Sequence, residues 1–285
     1  MDIKNLFNLN IDSLTKNSDK KGALEKLSFK KDWPNFRVDD GKIYFTEKAS
    51  TGFTEESKDL FLNTVKNWIK SHPKLFYFIW HVIGSSFLGK SAKQAISGIP
   101  VGNIVLNLGS GVTVVRSDVV NIDFYPFQNV DFVADIANLP ISDSSVDGII
   151  CEQVLEHIPD PEAVVREIHR ILKPGGIVYI VVPFVFSFHA SPYDYYRWSH
   201  IGLREQFKDF KQVDAGMRSG PGAGLNYILA EFFSMLLSFG IRRLQQIWFM
   251  IFLILFAPLC YLDYIIYRFP TAENIASHIY FIGKK

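Results

Sequence analysis

The chain has 285 residues with 30 Lys and Arg against 29 Asp and Glu. The resulting net charge of +1 excludes the basic excess of a whole-molecule nucleic-acid binder. A hydrophobic content of 48% excludes disorder as the overall state. Two cysteines, Cys151 and Cys260, exclude a disulfide scaffold and any CxxC zinc spacing, so no metal is expected. The length suits one large core with a smaller appendage at roughly 150 residues per domain. With 25 Phe and a mean hydropathy of +0.11, the chain is greasy for a soluble enzyme. The opening segment is polar, so no cleavable signal peptide is expected, and a reduced, cytosol-facing protein is the default.

Residues 1–50 read as a small N-terminal appendage. Trp33-Pro34 and Asp39-Asp40-Gly41 are turn signals, and residues 42–45 follow as a short strand. Residues 51–100 read as a helical lead-in. Phe61, Val65, Trp68 and Ile69 share a helix face, Pro73 interrupts, and residues 75–83 are almost wholly apolar. This segment suits a helical layer on the next domain, or contact with a membrane or lipid substrate.

Residues 101–224 alternate between buried-type strands and turns or helices. Strands are expected at 103–108, 119–123, 130–134, 146–151 and 177–182, and again near 210–216. Residues 161–172 form a helix whose Val164, Val165, Ile168, Ile171 and Leu172 make one stripe, with Pro161 in the first turn. Lys173-Pro174-Gly175-Gly176 reads as its terminator. This alternation predicts an α/β fold with a mostly parallel sheet covered on both faces.

Ligands of open α/β sheets sit beyond the carboxyl ends of the strands. There the sequence places Gly109-Ser110-Gly111, then Asp123, then Asp135-Ile136, then Cys151-Glu152, each after its own strand. Glycines let backbone approach a ligand, and an acid after the second strand can accept ribose hydroxyls. Asp135 beside Ile136 suits an exocyclic amine against an apolar wall.

In this order, residues 105–111, 121–123, 134–140, Asp147, 154–157 and 171–176 resemble class I S-adenosylmethionine-dependent methyltransferases, nearest the group that includes quinone-biosynthesis C-methyltransferases. The resemblance covers about residues 103–216. It implies a Rossmann-like sheet and S-adenosylmethionine as cofactor. It implies that Asn107, Gly109, Ser110 and Gly111 cradle the methionine part, Asp123 the ribose, and Asp135 and Ile136 the adenine. Backbone near Cys151 and Glu152 completes the pocket. The chain departs from the pattern in two places: Asn107 stands where an acid is usual, and Thr113 where a third glycine is usual. A NAD-type domain would need GxGxxG, but Val114 and Val115 follow instead. The link from Gly109 to Val119 is too short for a normal crossover helix.

After the fifth strand comes a loop dense in His, Asp, Arg and Tyr, from His189 through Asp194, Arg197 and Trp198. It reads as a substrate lid and acceptor site, or as a loop shaped by an Asp194–Arg197 pair. His189 is the first candidate for a general base and His157 the second, with Asp194 and Arg197 in supporting roles.

Residues 225–270 are an apolar insert and residues 271–285 hold the last strand of the core. Two apolar stretches, 225–240 and 247–267, flank Arg242-Arg243. If strands lie on either side in one sheet, both ends of the insert sit on one side of any membrane. A re-entrant or monotopic hairpin with snorkelling arginines is the favoured expectation. Two spans, or packing on protein, are the others. Together these features predict a methyltransferase on the cytoplasmic side of a membrane, acting on a small-molecule, glycan or lipid-linked acceptor, with no nucleic-acid partner. The alternatives are a quinone or lipid methylase, and a non-catalytic cofactor-binding protein.

Overall fold

The computed structural model describes residues 18–30, 36–46, 88–189 and 193–285. The expected helical lead-in and the Trp33-Pro34 turn lie almost wholly outside them. Nine strands join in one sheet of order β1-β2-β5-β4-β3-β6-β7-β9-β8. In chain order they are β1 (Arg37–Asp39), β2 (Lys42–Tyr44), β3 (Val105–Leu108), β4 (Val120–Asp123), β5 (Phe132–Val133), β6 (Val146–Glu152), β7 (Leu172–Pro183), β8 (Lys211–Ser219) and β9 (His278–Lys284). From β2 to β7 the pairs are parallel. β9 runs antiparallel between β7 and β8. The N-terminal hairpin is no detached unit, since β2 extends the sheet beside β5.

Both faces of the sheet are buried, and the two-residue period of the strands divides them. Leu106, Ile149, Val178, Ile180 and Phe281 face one core. Val105, Ile150, Tyr179, Val181 and Ile282 face the other. The first core receives helices α1 (Ser18–Lys26), α3 (Pro161–Ile171) and α4 (His200–Gln206) through residues such as Leu24, Ile168 and Leu203. The second receives α2 (Ala92–Ala95) through Ala92 and Ile96. Helix α3 starts where expected: Asp160 accepts from the Ala163 N–H at 3.1 Å and Pro161 takes the first turn. Its Val164, Ile168 and Ile171 are fully buried, each worth roughly 1.5–3 kcal/mol of transfer free energy.

Two expectations need correction. Residues 173–176 do not separate helix from strand. β7 begins at Leu172, which pairs with Val146, and the register shifts before Ile177 pairs with Gly148. Gly175, at φ +81°, lets the chain make that excursion. The second apolar stretch divides at its proline: Pro258 starts a new helix, giving α5 (Pro221–Ser238), α6 (Arg242–Leu255) and α7 (Pro258–Ile266), because a proline lacks the N–H that would continue α6. Finally, α5 starts at Pro221, so the insert begins before residue 225.

The insert leaves the sheet after Ser219 and returns at His278, which are paired residues. His278 also pairs with Pro183, the carboxyl end of β7. The apolar helices therefore rise from the end of the sheet where ligands of such folds bind. Between β3 and β4 only turns are present, as the short connection predicted.

Candidate active site

A hollow of about 240 Å³ opens at the carboxyl ends of β3 and β6. It is lined by Asn107, the Gly109–Thr113 turn, Phe127, Glu152 and Gln153. A larger hollow of about 410 Å³ lies at the opposite end of the sheet, around Asn103, Asp147 and residues 173–177. It contains none of the expected chemistry, and the smaller one is the relevant site.

The floor of the site depends on backbone that only glycine adopts easily. Gly109 has φ +66°, and a Cβ there would lie 2.4 and 2.7 Å from the two Val154 methyls. Gly111 has φ +52° with open space around it, facing the hollow. Gln153, at φ +55°, holds a conformation unfavourable for its side chain, and such strain concentrates at ligand sites. The Ser110 hydroxyl is buried without a hydrogen-bond partner among the described residues, so a ligand in the hollow would satisfy it.

Asn107 sits in a chain of amides. Its Nδ2 donates to Asn121 Oδ1 at 3.2 Å, Asn121 Nδ2 to the Asn129 carbonyl at 3.0 Å, and Asn129 Nδ2 to the Thr113 carbonyl at 3.1 Å. A neutral amide fits this position because it both donates to Asn121 and keeps an acceptor oxygen. The same chain anchors Thr113, so the two departures from the family pattern are structurally linked.

Asp123 lies outside the lining of the hollow and is buried, at 7% exposure. Its Oδ2 accepts from the Gly111 N–H at 2.7 Å and its Oδ1 from the Tyr125 N–H at 2.9 Å. It fixes the glycine turn by these two bonds. Asp135 is exposed and caps its own turn by accepting from the Ala137 N–H, while Ile136 beside it is buried. Cys151 is fully buried, and burial pushes its thiol far up, so it offers only backbone. The hollow, the glycine turn and the unpartnered hydroxyl fit S-adenosylmethionine, held by Asn107, Gly109, Ser110, Gly111 and Glu152, with Asp123 behind the turn.

Past β6 lies a cluster of titratable side chains. Glu156 is fully buried, and neither carboxylate oxygen has a hydrogen-bond partner among the described residues. Burial pushes its carboxyl up to about 8. His157 Nε2 stands 3.9 Å and His189 Nε2 3.8 Å from Glu156 Oε1. The two imidazoles meet edge to face at 5.0 Å.

Both rings are oriented through Nδ1. His157 Nδ1 lies 2.6 Å from the Tyr193 carbonyl, which can only accept. His189 Nδ1 lies 3.3 Å from Asp194 Oδ2. Arg197 Nη2 donates to the Ser187 carbonyl and to Asp194 Oδ2 and stands 3.4 Å from His189 Nδ1. Both Nε2 atoms face Glu156. Burial holds the His189 pKa below its ordinary value despite Asp194, which keeps the ring neutral. The Asp194–Arg197 pair is bidentate, with Nη1 to Oδ1 at 2.6 Å and Nη2 to Oδ2 at 2.7 Å. Arg197 also binds the Phe186 carbonyl at 3.1 Å, so the pair shapes the loop and orients His189 together.

Sequence reasoning gave Glu156 no role, although its place beside His157 at a strand end was a signal. It also missed His278, which closes the back of the cluster. Its ring lies 4.8 Å from Phe186, and burial pushes its pKa down to about 3.

Residues 109–180 match the family described as "Methyltransferase domain". That stretch, which holds the glycine turn, β4 to β6 and most of β7, is similar to a methyltransferase domain. Over 59 residues it is 41% identical to an arsenite methyltransferase of Aquipseudomonas alcaligenes, covering 19% of this chain and 17% of that one. Over 34 residues it is 50% identical to a ubiquinone biosynthesis O-methyltransferase of Pseudomonas aeruginosa, covering 12% and 15%. The matched segments thus span about a sixth of these curated relatives. Among solved structures, phosphoethanolamine N-methyltransferase 2 of Haemonchus contortus aligns at TM-score 0.43 and 16% identity, over 74% of this chain and 57% of that one. The 1,6-didemethyltoxoflavin N1-methyltransferase of Burkholderia thailandensis aligns at TM-score 0.42 and 13% identity, over 83% and 92%.

Proposed function

We propose that the protein is an S-adenosylmethionine-dependent methyltransferase that methylates a hydroxyl of an amphiphilic acceptor at a membrane surface. The carrying observation is the outer face of the insert. The exposed positions of α5 include Leu225, Ile228, Phe232, Met235 and Leu236. Those of α6 include Ile247, Met250, Ile251, Ile254 and Leu255, and those of α7 Tyr261, Leu262, Tyr264 and Ile265. They recur at helical spacings of three and four, where a water-facing helix carries polar residues. A continuous apolar surface of this kind marks an interaction site.

Among the described residues no single helix is long and apolar enough to cross a membrane; only α6 and α7 together, bent by 45°, reach that length and composition. A monotopic hairpin lying in the interface, with Arg242 and Arg243 at its tip, suits these lengths. The cytoplasmic face is the proposed side. Phe186, in the loop after β7, packs against Tyr227 of α5 with ring centroids 4.6 Å apart and lies 5.4 Å from the His189 ring. The apolar hairpin and the reactive loop are thus adjacent, which supports an acceptor with a lipid tail and a polar head.

When bound, S-adenosylmethionine supplies a methyl group on a sulfonium. The chain's own task is then positioning, the main source of acceleration for such a displacement. The glycine turn and Asp123 shape the donor site, and Arg197 fixes the loop. The hydroxyl loses its proton at the Glu156–His157–His189 cluster, where burial keeps the His189 imidazole neutral.

The test supplies radiolabelled methyl donor to membranes and purified protein, followed by organic extraction. Label is expected in the lipid phase, reduced at least about tenfold by His189→Ala. Label confined to the aqueous phase would overturn the amphiphile, and absence of donor binding by calorimetry would overturn the enzyme.

A further inference from the structure

We propose that Glu156, His157 and His189 form a binding site for a divalent transition-metal cation of the zinc class at the acceptor side of the pocket. The proposal rests on reading this cluster as the acceptor site and deepens it.

One ligand atom from each of the three residues lies within 4.8 Å of the others. Glu156 Oε1 is 3.8 Å from His189 Nε2 and 3.9 Å from His157 Nε2. These distances are too long for hydrogen bonds. An ion with bonds of about 2.1 Å in tetrahedral geometry separates its donors by about 3.4 Å. These two pairs need to close by only about half an ångström to reach that spacing.

The second observation is the carboxylate itself. Glu156 is fully buried with neither oxygen satisfied among the described residues. A buried carboxyl without partners is costly, and a cation held between it and the two rings would remove that cost.

The third is the orientation of the rings. Metal-bound histidines usually give their other N–H to a backbone carbonyl or a carboxylate. His157 gives Nδ1–H to the Tyr193 carbonyl at 2.6 Å. His189 Nδ1 lies 3.3 Å from Asp194 Oδ2 and 3.4 Å from Arg197 Nη2, so the loop also fixes the orientation of that ring. Nearby positive charge does not forbid the ion. Arg197 is neutralised by its bidentate pair with Asp194, and His278 is held neutral by burial.

Two imidazoles with one carboxylate favour zinc-class ions over magnesium or calcium, which prefer oxygen ligands. Side-chain exposures of 26% for His157 and 27% for His189 leave an entry path and an open coordination position. An acceptor hydroxyl in that position would bind through oxygen, and its proton would pass to water as its pKa falls. The His189 lone pair would then serve the ion rather than the proton.

The test uses the full chain after chelator treatment, titrated with Zn²⁺ by calorimetry and with Co²⁺ by visible absorption. S-adenosylhomocysteine titration in parallel reports fold and donor site. One equivalent of Zn²⁺ is expected in the parent protein, with ligand-field bands for Co²⁺ and no thiolate charge-transfer band. Glu156→Gln and His189→Ala should each weaken Zn²⁺ binding by at least about tenfold while S-adenosylhomocysteine still binds. His157→Ala, the most exposed change after His189, replaces Glu156→Gln if that variant fails to fold. No Zn²⁺ uptake by a parent protein that binds S-adenosylhomocysteine would overturn the site. So would uptake undiminished in the variants. Failure to bind S-adenosylhomocysteine alone would strike the methyltransferase reading and leave the metal result standing.

Discussion

Asp123 illustrates how one side chain can carry two duties. Its carboxylate accepts from Gly111 and Tyr125 N–H groups, so it holds the glycine turn open before any ribose arrives. Asp123→Ala is expected to abolish donor binding in calorimetry, because both the turn and the ribose acceptor are lost; unchanged affinity would remove both roles. His278 carries a pH effect of definite sign. Its pKa falls from the ordinary 6.5 to about 3 in the folded chain, so the unfolded state takes up a proton that the folded state refuses. The stability it contributes is fully present above pH 6.5 and is lost as pH falls from there towards 3. His278→Gln should flatten the loss between about pH 6.5 and 5, measured by denaturant midpoints, where few carboxylates yet titrate. Equal slopes in the two proteins would contradict a buried neutral imidazole. At this scale the strand-end placement of Gly109, Asp123 and Glu152 was legible in the sequence. The partners of the histidines were not, because Tyr193 and Asp194 reach them only through the path of a loop.

Among the elements, the apolar insert changes most between sequence and structure. Asp263 of α7 is fully buried and caps α5, accepting from Gly222 N–H at 2.6 Å and Ala223 N–H at 3.1 Å. A carboxylate is favourable there because the helix N-terminus bears partial positive charge and unpaired N–H groups. Gly220 leaves room for it, since a Cβ there would lie 2.2 Å from Asp263 Cγ. Asp263→Ala should cost about 1–2 kcal/mol or more of stability, seen as a lower thermal midpoint, because two buried donors lose their acceptor. This tie holds α7 to the start of α5, while α6 packs along α5 through Ala230, Leu253 and Ala257.

For the whole molecule, the sheet gathers the donor turn, the histidine cluster and the apolar hairpin at one end. β9 inserts between β7 and β8, which returns the insert beside Pro183. Replacing Phe232, Leu236 and Ile251 by Glu should abolish flotation with anionic vesicles while leaving S-adenosylhomocysteine binding intact, because these residues are exposed and lie away from the donor hollow. Flotation that persists would remove the hairpin from the membrane. Periodicity and strand-end residues by themselves determined the α/β class, the donor motifs and the position of the apolar insert. Those are local properties, set by which side chains fall on one face of a strand or helix. Only the tertiary structure decided that Glu156, His157 and His189 converge, that Asp263 caps a helix, and that the hairpin stands over the reactive loop. Each of these depends on segments separated by tens of residues, which meet only when strand pairing and core packing bring them together.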